Sequence, residues 1–155
     1  MTTSLIIEEP LETADPLAEW RWKLGAETTT VALSRSGDAF VLGSDGHVWW
    51  LDTGAGALTL VADSTAAFDE LLSDPQEVKR LLLAPVVEHF ISLHGPFTPG
   101  RCLGYTRLPI LGGSYSVENR WSAPAIEHFA LTGDLHRQLR DVPDGTQVRL
   151  EHGDS

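Results

Sequence analysis

The chain has 155 residues, 42% of them apolar, and a formal net charge of −11, which suits one compact domain and leaves two cramped. Its longest apolar run, 81–87, covers seven positions and holds a proline, far short of the roughly 20 residues a membrane helix needs. Residues 1–78 carry three basic and 14 acidic side chains, whereas 79–155 balance eight against eight, so the whole charge excess sits in the first half. Nucleic-acid affinity comes largely from Lys and Arg displacing counterions, so this balance argues against direct nucleic-acid binding. The N-terminus lacks a basic region followed by a long apolar stretch, and a cytoplasmic location is the expectation. A single cysteine, Cys102, cannot close an internal disulfide and makes a poor start for a metal cluster.

The predicted fold is α+β: an antiparallel β-meander packed against several short helices in one domain over 17–151, with a loose acidic arm at 1–16 and a tail at 152–155. Segments 28–34, 38–43, 47–52 and 57–61 alternate in polarity between turns rich in Gly, Ser and Asp, which reads as the meander. Asp45-Gly46 suits a two-residue type I′ turn, which pairs Ser44 with His47, Leu42 with Trp49 and Phe40 with Leu51. On that register Phe40, Leu42, Trp49, Leu51, Leu58 and Leu60 share one buried face, joined by Val31 and Leu33. Trp50 on the opposite face implies a second cover. Ser64 caps a short helix ending at Leu72. Asp74-Pro75-Gln76-Glu77 then supplies an N-cap, an N1 proline and a capping-box glutamate. Pro85–His94 reads as a further helix stopped by Gly95-Pro96, and 97–124 as loops with short strands. Beyond them, 125–131 reads as a buried strand, 133–140 as a short helix capped by Thr132, and 146–150 as a final strand.

No catalytic constellation emerges. His89 and His94 are five apart, about 140° around a helix, and make a poor metal pair. His47 and His152 have no visible partner, and on a strand His128 and Glu127 would point to opposite faces. His136 lies in the dense stretch 132–140, where a neutral imidazole fits a structural role holding a loop. Ser114 lacks the G-x-S-x-G elbow, and Leu111-Gly112-Gly113 is neither a dinucleotide fingerprint nor a phosphate loop. No cofactor or metal is expected.

Three stretches carry a resemblance: Gly37–Phe40 through His47–Gly54; Gly104-Tyr105 through Pro109–Tyr115 to Glu118-Asn119; and Gly133–Gln138 through Pro143–Thr146. In this order they resemble a family of small bacterial domains known as the C-terminal domain of immunity proteins that neutralise DNase toxins delivered by type VI secretion. The resemblance covers roughly 30–150. Many members carry an N-terminal partner domain, which residues 1–27 are too short to hold. The resemblance assigns no catalytic residues, and it gives Gly104, Tyr105, Leu111, Gly112, Gly113, Tyr115, Asn119, Gly133, His136 and Gln138 the standing of structural motif positions. It implies a cognate protein toxin as partner, a basic nuclease held in a stoichiometric complex. The first-half carboxylates Asp38, Asp45, Asp52 and Asp63, near the turns of the meander, are the candidate contacts. A small hydrolase using His136 or an acidic pair, and a non-catalytic adaptor, are the competing readings.

Overall fold

The alternating segments between Thr29 and Ala62 form four antiparallel strands in a computed structural model, which describes residues 4–142. They are β1 (Thr29–Leu33), β2 (Ala39–Leu42), β3 (Val48–Asp52) and β4 (Ala57–Ala62), and their order in the sheet is their order in the chain. The β2–β3 register differs by one residue from the expectation. Gly43 N–H donates to the His47 carbonyl at 2.9 Å, so the loop holds three residues, Ser44-Asp45-Gly46. A type I′ turn needs positive φ at both central positions, but only Gly46 takes it (φ +85°). Asp45 keeps negative φ and accepts the His47 N–H through its carboxylate at 3.0 Å, which supports the wider loop.

The pairs are therefore Leu42 with Val48, Val41 with Trp49, Phe40 with Trp50 and Ala39 with Leu51. A slip of one residue exchanges faces. Phe40 and Leu42 lie opposite Trp49, Leu51 and Leu58, and the expected single face is split between two. Ala39, Val41 and Leu51 pack with Leu17, Trp20, Cys102, Ala125 and Phe129. On the other side, Phe40 and Val48 pack with Ala62, Phe68, Leu81 and Leu82. The sheet is thus the middle layer of three. Both faces being apolar, alternation could not choose between the two registers. Leu60 sits on the edge strand and remains 45% exposed.

The second cover, implied by Trp50, comes from α2 (Thr65–Leu71) and α3 (Pro75–Leu82). Ser64 Oγ accepts from Ala67 N–H and starts α2, while Asp74 accepts from Gln76 N–H and Pro75 opens α3. Glu77 forms an ion pair with Arg80 at 2.6 Å. Helix α4 (Ala84–His94) follows Leu83, whose φ of +48° marks the joint, and ends at Gly95. Its Val87 and Phe90 pack with Leu103 and Val117.

Strands β5 (Arg101–Tyr105) and β6 (Arg120–Pro124) pair antiparallel. The expected strand at 125–131 is instead the first half of a single helix, α5 (Ala125–Leu139), which also absorbs the expected short helix. Of its buried positions, 125, 128, 129, 132, 133 and 136 follow helical spacing rather than alternation, and Asp134 is buried beside them. Thr132 caps nothing, because its hydroxyl donates back to the His128 carbonyl at 2.8 Å inside the helix. One helix brings His128 and His136 to the same buried face.

The acidic N-terminal segment, expected as a loose arm, is tied down where it is described. Ile7 N–H donates to the Leu33 carbonyl, Arg35 N–H donates to the Leu5 carbonyl, and Glu9 accepts from Arg35 and from Gly100 N–H. Ahead of β1, a short turn at Ala18–Trp20 and α1 (Arg21–Leu24) lie against α5, with Trp20 fully buried. Among the described residues no helix is long and apolar enough to cross a membrane. The expected strand at 146–150 and the boundary at 151 lie outside the described residues.

Candidate functional site

The turn between β1 and β2 folds inward. Asp38, proposed from sequence as a partner contact, is 1% exposed and cannot reach one. Its carboxylate accepts from Thr53 N–H at 3.0 Å, from Thr53 Oγ1 at 3.3 Å and from Trp50 Nε1 at 3.1 Å. Burial, with the Asp52 charge adding to it, pushes its pKa up to about 7. The turn is drawn in because Gly37 leaves room for β5 and α5. A Cβ there would overlap the Leu103 carbonyl and lie 2.8 Å from His128 Nε2.

Thr53, just past β3, is the hub of this interior. Its hydroxyl donates to the Gly37 carbonyl at 2.6 Å and lies 3.1 Å from His128 Nε2. His128 Nε2 also sits 2.8 Å from the Gly37 carbonyl, which can only accept, so that nitrogen carries a proton. Its lone pair is not available to activate Thr53. Burial lowers the His128 pKa to about 4, so the ring is neutral at pH 7. His136 Nε2 donates to the Thr53 carbonyl at 2.8 Å, and its ring lies 5.3 Å from Trp20 over Gly56. Burial lowers its pKa as well. Both histidines serve as donors to backbone carbonyls.

The third wall is Arg120 on β6. Its guanidinium donates to the carbonyls of Ser36, Leu103, Gly104 and Tyr115 and lies 3.9 Å from the Tyr105 ring centroid. Burial raises the Tyr105 pKa, and its hydroxyl is the one buried side-chain polar atom without a partner among the described residues. Cys102 is buried, its thiol pushed up to about 12 by desolvation.

The motif positions of the 104–119 stretch surround one loop. Gly112 takes φ +98°, and a Cβ on Gly113 would overlap the Arg107 carbonyl. Asn119 accepts from Arg107 N–H and donates to the carbonyls of Arg107 and Ser114, while Tyr115 donates its hydroxyl to Asp52 at 2.9 Å. Gly104 lies against Trp121 and Ala123. On α5, Gly133 admits the Glu19 backbone, which would meet a Cβ at 2.7 Å, and Gln138 donates to Asp134.

The other proposed contacts do not converge. Asp52 is half-buried and caps the turn through Gly54 and Ala55 N–H. Asp45 is exposed and lies 3.4 Å from the His47 ring. Asp63 is exposed on a cleft of about 660 Å³ between β4 and α2, together with Leu60, Glu70 and Asp74. A second cleft, about 350 Å³, lies beside Phe90, Phe97, Arg101 and Trp121. A third, about 300 Å³, lies between β5 and α5, where Gly104, Tyr105 and Leu111 meet Leu131 and Leu135. Sequence reasoning missed Thr53 and Arg120, and it set His128 aside by placing it on a strand. The helical spacing of 125–136 is the signal that could have found His128. No group of three His, Cys, Asp or Glu among the described residues could hold a metal.

No curated protein matches the chain. Residues 62–136, a little under half of it, match the family described as T6SS immunity protein Tdi1, C-terminal. That match supports an immunity role, and from the end of β4 to near the end of α5 the chain is similar to the C-terminal domain of a type VI secretion immunity protein.

Proposed function

We propose that this chain is an immunity protein that binds a cognate protein toxin and neutralises it by stoichiometric occlusion in the cytoplasm. The family match over 62–136 carries this reading. The toxin is a nuclease in this proposal, since a nuclease presents a cationic, phosphate-seeking cleft. A rigid domain with a net charge of −11 complements it. Exposed first-half carboxylates, Asp45 and Asp63 among them, supply the field that steers the encounter. Asp38 acts only by shaping the turn.

The polar interior supports binding rather than turnover. A hydrolase built on His136 would need its ring open to substrate, whereas the ring is buried and its Nε2 proton is held by the Thr53 carbonyl. The test is to express the neighbouring gene with and without this one. Growth should be restored by this chain, and the two products should copurify in equal amounts with the chain unchanged. Unrestored growth, or turnover of a substrate by the chain alone, would sink the reading.

A further inference from the structure

The cleft between β4 and α2 joins an apolar floor to an acidic rim. Its floor is apolar, with Val61 and Ala62 on the edge strand and Ala67 and Leu71 on the helix, while Asp63, Glu70 and Asp74 stand around it. No Lys or Arg lines it. The Asp74 carboxylate is engaged by Gln76 N–H, but those of Asp63 and Glu70 have no hydrogen bond or ion pair among the described residues. From Ala62 to Val78 the chain holds five acidic residues and no basic one, so part of the charge excess of the first half gathers here.

An apolar floor with an anionic rim matches one kind of side chain. Lys and Arg carry a long aliphatic stem under a charged head, and they bury the stem on apolar surface while the head seeks charge or water. A purely aliphatic segment would leave the carboxylates unanswered, and a purely polar one would leave Val61 and Leu71 uncovered. We propose that this cleft docks a basic segment of the partner protein. The stem of an Arg or Lys lies across Val61 and Leu71, and its charge meets Asp63 and Glu70. The partner's identity rests on the immunity reading; the charge and shape of the docking segment do not.

The probe is a synthetic peptide, acetyl-Ala-Leu-Arg-Leu-Lys-Ala-amide, titrated into the ¹⁵N-labelled full chain at low salt. Amide shifts should concentrate at 60–63 and 67–74 and shrink as salt is raised. Replacing Arg and Lys of the peptide by citrulline and norleucine, which keep the stem length and remove the charge, should abolish them. The double variant D63N/E70Q, changed only at exposed side chains, should keep the parent's spectral dispersion and bind the charged peptide roughly fivefold more weakly. Shifts spread over the acidic surface, or equal affinity in the double variant, would overturn the cleft. Growth protection against the toxin separates the two ideas. If the parent protects and the charge-reversed D63K/E70K protects equally well, the cleft is wrong and the immunity reading stands. If the parent does not protect, the immunity reading falls and the peptide titration still decides the cleft.

Discussion

His136 donates its Nε2 proton to the Thr53 carbonyl across 2.8 Å, although 83 positions separate the two in the chain. The bond fixes the last third of α5 onto the end of β3, and the ring fills the space between Trp20 and Gly56. The H136F variant keeps most of the packing but leaves that carbonyl without its donor, at an expected cost of about 1–3 kcal/mol. H136A also opens a cavity and should cost more. Urea unfolding of the two variants checks both the sign and the order.

The interior titrates in two opposing directions. Asp38 keeps its proton up to about pH 7 in the folded chain, against an ordinary value of 3.8, so between these values the folded state binds more protons than the unfolded one. Stability from this group is fully present below about 3.8 and falls as pH rises towards 7. His128 is lowered to about 4 from 6.5, so over that range the unfolded state binds more protons and stability falls as pH drops. Between 4 and 6.5 the slopes oppose. Relative to the parent, the D38N variant should show stability rising more steeply with pH in that window, and H128N less steeply, as read from melting temperatures at half-unit pH steps. Parallel profiles for the two variants would contradict this.

Core truncations read the strand register. Leu51 is fully buried against the Trp20 layer, and L51A should cost about 2–5 kcal/mol. L60A, at an exposed edge position, should stay within about 0.5 kcal/mol. Had the two-residue turn formed, Phe40 would face the same layer as Leu51. A double-mutant cycle between Phe40 and Phe68, whose rings lie 4.9 Å apart, should therefore show coupling.

Two glycines with different constraints should respond differently to alanine. Gly46 has positive φ in open space, so G46A carries only the backbone cost, about 1–2 kcal/mol. At Gly113 the added methyl collides with the Arg107 carbonyl, part of a loop held by Asn119. G113A should be the more damaging of the two in thermal unfolding.

The sequence made the meander legible through its alternation and turns, and α2 and α3 through Ser64 and Asp74, because caps and turn residues act locally. The β2–β3 register was hidden because β2 and β3 are apolar on both sides, so either pairing buries comparable surface. The strand expected at 125–131 failed for a related reason. A seven-residue window at Ala125 is rich in apolar side chains, and only extension to Thr132, Gly133 and His136 exposes the helical period. Asp38 was misjudged as a contact because a carboxylate in a Ser-Gly-Asp turn is ordinarily solvated. Its burial depends on Thr53 and Trp50, brought to it by a pairing that local pattern does not encode.

The matched stretch starts at Ala62, the last residue of β4, yet Ala125 and Phe129 of α5 are buried against Val41 and Leu51, which precede it. Phe68 and Leu81 likewise close over Phe40 and Val48. The boundary drawn by similarity therefore runs through the interior rather than between autonomous units. A fragment confined to 62–136 would lack the central layer and expose two apolar surfaces to aggregation. A piece meant for expression or grafting needs to reach back at least to Leu5, whose carbonyl accepts from Arg35 N–H, and forward through the end of α5 at Leu139.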